Sequence, residues 1–204
     1  MLMAAAAEAA PLAHPISQAM TQPPIDLATV PKPCAMFVKQ ASVPEPVVAM
    51  TARISLAQCM ATERLRAQTD LIDAQDSIAL VEESVTASFA LLDAAIATEE
   101  PRVVIQAQHA KGELYASMIG RMLATIPAPP AGTSDEAMQL RDQRAAVLAT
   151  WLQPWREKAH DALAAVVELG KQHPELARDP VVQQAIRDSV QRLDREPAKV
   201  ATAS

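Results

Sequence analysis

From residue 47 to residue 98 the chain holds neither proline nor glycine, and apolar or small side chains return at Met50, Ile54, Ala57, Ala61, Leu65, Leu71, Ile78, Val85, Leu92 and Ile96. The steps are mostly three, four or seven, the spacing of one face of an α-helix. One helix over 47–98 would reach about 78 Å at ~1.5 Å per residue. Residues 62–77 are its more polar part and the place for a break. Thr98-Glu99-Glu100-Pro101 then stops and restarts the pattern. Proline suits a first helical position, and acidic residues suit the positive end of the helix dipole. A second helix follows over 101–126, with Val104, Ile105, Gln108, Gly112, Tyr115, Ile119, Met122 and Ile126 on its apolar side. So short a connection makes the two helices antiparallel neighbours. The first arm of this hairpin outruns the second by residues 47–72, about 39 Å if helical. Met50, Ile54 and Leu65 on that overhang need a partner helix or an apolar surface to cover them.

The pattern pauses at the proline-rich stretch 127–133 and resumes with helices over 134–195. Thr133 and Glu136 have the spacing of a capping box. The following stripe runs through Met138, Ala145, Leu148, Leu152, Trp155, Ala159, Ala162, Val166 and Leu169. Pro154 lies inside it and either kinks one helix or starts another. Gly170 and Pro174 end the stripe. Asp179-Pro180 opens a last helix, with Val182, Ile186, Val190 and Leu193 on one side. Residues 196–204 read as a frayed tail. Residues 1–46 hold eight of the sixteen prolines. That density breaks helices, because each proline removes a donor and clashes with the preceding turn. This segment reads as a disordered arm, in which Cys34-Ala35-Met36-Phe37-Val38 is an apolar island able to dock on a groove. The fold class is therefore all-α: a long antiparallel helical hairpin or elongated helical bundle with a disordered Pro-rich N-terminal arm.

Composition sharpens this picture. Half of the 204 residues are hydrophobic, but 42 are alanine and five are aromatic. Apolar burial must come from Ala, Leu, Ile, Val and Met, and alanine both favours helix and lets helix axes approach closely. A net charge of −6 without clustered Lys or Arg speaks against nucleic acid. No stretch nears the ~20 apolar residues of a membrane span. The N-terminus lacks the positive flank of a secretory signal. Cys34 and Cys59 have neither metal-type spacing nor the number of a disulfide framework. A reduced, cytoplasmic setting is the simpler expectation.

Candidate chemistry is sparse. Glu157 and His160 have the Glu-x-x-His spacing of carboxylate-bridged metal bundles, but a second such motif is missing. His109 and Glu113 lie one turn apart with a different spacing. Neither cysteine has a histidine nearby in sequence, and the glycines never cluster into a phosphate loop. No catalytic, cofactor or metal site is expected. Trp151 and Trp155 share one helix face, either buried in the bundle or offered to a partner.

The Ala- and Leu-rich run from Val81 to Ala97, the turn Thr98-Glu99-Glu100-Pro101, the step Val104-Ile105-Gln106 and the aromatic Tyr115 resemble the core of the phasin family, over about residues 70–126. Phasins are small helical proteins that coat polyhydroxyalkanoate granules. The resemblance implies a non-enzymatic protein that coats a hydrophobic polymer surface, with granule association and no catalytic residues to carry over. The unpartnered overhang supports an alternative, an oligomeric helical scaffold or adaptor such as a secretion or assembly component. Both readings expect homo-oligomers, and both offer Met50, Ile54, Leu65, Trp151 and Trp155 as contact candidates.

Overall fold

The computed structural model describes residues 24–126, 128–130 and 132–195, and within them the chain is all-α. The α-helices are α1 (Ala35–Gln40), α2 (Pro46–Ala67), α3 (Gln75–Ile96), α4 (Pro101–Leu123), α5 (Asp135–Trp151), α6 (Gln153–Gln172) and α7 (Pro180–Arg195). Tight 3-10 turns at Leu27–Thr29 and Lys32–Cys34 precede α1, and one at Pro174–Arg178 links α6 to α7. No helix among the described residues is long and apolar enough to cross a membrane.

Several helix starts carry the expected chemistry. Pro101 and Pro180 stand at the first positions of α4 and α7, and Asp179 accepts hydrogen bonds from the Val181 and Val182 amides at 2.9 and 3.2 Å. Pro154 starts α6 rather than kinking a longer helix, and the break falls at Leu152. The cap of α5 is Ser134, whose hydroxyl accepts from the Ala137 amide at 3.3 Å, in place of the Thr133–Glu136 box. Glu99 takes a left-handed backbone at φ 57°, which closes the α3–α4 turn in four residues.

The single helix expected over 47–98 is two helices. Gln68 leaves α2 in an extended conformation, and Ala74 enters α3 extended. The Ser77 hydroxyl accepts from the Ile72 amide at 3.0 Å and holds the turn. The polar stretch is thus where the chain reverses, and α2 folds back onto α3 and α4. The overhang at 47–72 does not exist. Met50, Ile54 and Leu65 are buried in the main core with Val81, Leu92, Ala107, Leu114, Met118 and Met122.

Helix α4 is the centre of the bundle, packed against α2, α3, α6 and α7. One side carries Ala107, Ala110, Leu114 and Met118 into the main core, while Ile105 joins Val166, Val182 and Ala185 in a smaller one. The C-terminal helices therefore pack directly on the hairpin. At Gly112 an added Cβ would lie 2.7 Å from Leu163 Cγ and Cδ2, so α4 and α6 approach closely there.

The disordered arm is corrected from residue 24 onward; residues 1–23, like the tail 196–204, lie outside the described residues. Pro31 caps a 3-10 turn that contains Pro33, and Pro46 opens α2. The Glu45 carboxylate caps α2 by accepting from Val47 N and Val48 N at 3.3 and 2.6 Å. Arg64 donates to the Thr29 carbonyl at 2.8 Å. The expectation of reduced cysteines is also overturned, because Cys34 is fully buried and forms a disulfide with Cys59 of α2. Sequence spacing cannot see this pair, since the arm must first fold along α2 to bring the two thiols together.

Two outcomes test this architecture. Replacing both cysteines by serine should lower stability by about 2–4 kcal/mol for a loop of this size, read as a lower urea midpoint; an unchanged midpoint would mean that the strap adds nothing. Gly112→Ala should lower the melting temperature by overpacking, at a cost of about 1–3 kcal/mol, even though alanine is the better helix former. Gly120→Ala meets no atom within 4 Å and should raise stability by up to about 1 kcal/mol.

Candidate functional site

The two tryptophans have different fates. Trp155 is 2% exposed in α6, and its indole N–H donates to Glu82 Oε1 of α3 at 2.7 Å. It is a core residue with its polar edge satisfied. Trp151, at the end of α5, is 38% exposed. The break at Leu152 separates the pair that a continuous helix would have kept on one face.

Among the helices longer than two turns, α5 stands apart in burying only Leu148 along its length. Met138, Leu140, Val147 and Trp151 are all exposed. Leu140, Arg144, Val147 and Trp151 follow steps of four, three and four, which places them on one face. Arg144 anchors this face to the α2–α3 turn, donating from Nε and Nη2 to the two carboxylate oxygens of Asp73 at 2.6 and 2.5 Å. That hydrogen-bonded guanidinium holds the Asp73 carboxyl below the usual carboxylate range. Ile72, beside Asp73 in the chain, is 62% exposed. The result is an apolar face held by one forked ion pair. Leu140 and Val147 were missed in the sequence. Their seven-residue spacing is legible, but the sequence pattern favours the stripe through Met138, Ala145 and Leu148 as the apolar side.

The remaining polar side chains are mostly engaged within the bundle. Arg192 of α7 forks onto the Glu113 carboxylate at 2.8 and 2.6 Å. Next to it, His109 Nδ1 hydrogen-bonds with Ser189 Oγ at 3.1 Å. Ser189 is fully buried, and this His–Ser pair joins α4 to α7. Glu157 accepts from Gln153 at 3.1 Å, whereas His160 lies 3.7 Å from Asp161. Among the described residues no three His, Cys, Asp or Glu side chains are grouped to hold a metal ion.

Compared with family models, curated proteins and solved structures, the chain gives no match.

Burial lowers the His109 pKa, and this outweighs the nearby Glu113 and Asp188 carboxylates, which raise it; Arg192 lowers it further. The unfolded chain therefore binds the proton first. The stability given by the neutral imidazole is complete above about pH 6.5 and is lost as pH falls below it. Denaturant titrations between about pH 7.5 and 5 should show the wild type losing stability and His109→Gln changing less. Parallel pH profiles would count against this assignment.

Proposed function

We propose that this chain is a non-enzymatic binding protein that lays α5 onto an apolar surface. The observation that carries this reading is the exposed face of Leu140, Val147 and Trp151 on a helix that buries so little else. The stripes of α2, α3 and α4, first candidates for that task, already lie against one another or against α6 and α7. A coat of the phasin kind thus remains the reading, with α5 as the contact in place of an opened hairpin.

Magnitude favours an extended surface over a single small partner. A patch of ~300 Å² yields about 7 kcal/mol gross at ~25 cal/mol per Å². Association costs at least about 4 kcal/mol, so one such contact is weak. Copies joined in an oligomer would gain from avidity on a polymer or lipid surface. The Cys34–Cys59 bond favours an oxidising compartment, since disulfides rarely persist among reducing thiols, and so favours a lipid or other apolar surface over a cytoplasmic polymer granule. The same α5 face also motivates the second reading, a helical scaffold in which copies of the chain pair through it.

Adsorption to polyhydroxybutyrate particles and to phospholipid vesicles separates these readings. The wild type should sediment with one of them, and its Trp151 emission should shift to the blue. A triple variant, Leu140→Ser, Val147→Ser and Trp151→Ser, should lose at least about tenfold in adsorption while keeping its fold, because surface changes cost little stability. Unchanged adsorption would sink the α5 reading. A wild-type dimer that the same variant converts to a monomer, without adsorption to either surface, would favour the scaffold.

A further inference from the structure

A groove of about 490 Å³ runs between α2 and α4, well away in sequence from α5. Its apolar lining comes from Ala61, Leu65, Leu92, Ala110 and Leu114. Arg66 and Arg121 line its other end, at the last turns of the two helices. The volume falls within the range of small-molecule sites.

Three observations give the groove a polarity. Arg121 Nε is enclosed and has no hydrogen-bond partner among the described residues. Arg121 as a whole is half-buried, so an incoming acceptor would meet its guanidinium through nitrogens other than the enclosed Nε. Arg66 is engaged only through Glu63, at 2.8 Å and largely in solvent. The carboxylate of Glu113, which also lines the groove, is neutralised by the Arg192 fork and lies two turns from Arg121. An anion at the arginine end therefore meets positive charge, while the length towards Ala110 is mainly apolar. Gly120 lines the same groove, and a Cβ there would meet nothing within 4 Å. A glycine in the last turn weakens the end of α4, and here its missing side chain leaves the groove open beside Arg121.

We infer that this groove binds an amphipathic carboxylate, with the head group on Arg121 and Arg66 and an unbranched alkyl chain along α4 towards Ala110. From Arg121 to Ala110 the helix rises about 16 Å, room for a chain of about a dozen carbons. A fatty acid has this form. The site is separate from the α5 face, and the two proposals stand or fall independently.

Calorimetric titration of the full chain with dodecanoate, below its micelle-forming concentration, tests the inference. Dodecanoate should bind in the micromolar range, dodecanol at least about tenfold more weakly and acetate not at all. Arg121→Met should reduce dodecanoate affinity to that of dodecanol. Gly120→Leu should fill the groove and abolish binding of both, with an unchanged helical spectrum, while the α5 triple variant should bind dodecanoate normally. Failure of dodecanoate to bind, equal binding of the alcohol, or full binding by Gly120→Leu would each overturn the inference.

Discussion

The approach of α4 to α6 at Gly112 is the contact on which the other placements rest. With no side chain at that position, Leu163 of α6 can settle against the α4 backbone. Ile105, about two turns earlier, then reaches Val166 and Val182, which draws α7 into the same seam. On the far side of α4, Ala107 and Ala110 allow α2 and α3 to close in. A helix with small residues on two sides becomes the axis of a bundle, and few aromatics are needed to fill the gaps. Phe89 and Tyr115, with ring centroids 4.7 Å apart, supply an aromatic pair between α3 and α4.

How much of this was legible depended on whether the signal was local. Pro101, Pro154 and Asp179-Pro180 are local punctuation, and the helices start where those residues indicate. The reversal at residues 68–74 is not local in that sense. It contains neither Gly nor Pro, and Leu71 and Ile78 keep a seven-residue step across it. A stripe that continues in register through a turn looks like one helix until tertiary packing is known. The segment from residue 24 was misjudged for the opposite reason. Its prolines mark breaks, yet breaks into short turns are compatible with order when Cys34 and Ala41 are buried beneath them.

The candidate site was half legible. Trp151 and Trp155 stand out in the sequence, which leaves open whether they face inward or outward. The answer turned on Leu152, where one helix ends and the next begins. Arg144 and Asp73 are 71 residues apart, and their pairing depends on the α2–α3 reversal that the sequence concealed. The groove between α2 and α4 could not be read at all. It exists only because α2 folds back beside α4.

The Cys34–Cys59 bond makes residues 35–58 a closed covalent ring that includes α1 and the first half of α2. A protease cutting once within the ring would leave both fragments tethered, with the buried Cys34 still in its place. The exposed, proline-punctuated residues just before α2 can therefore be nicked without releasing the segment ahead of the cut.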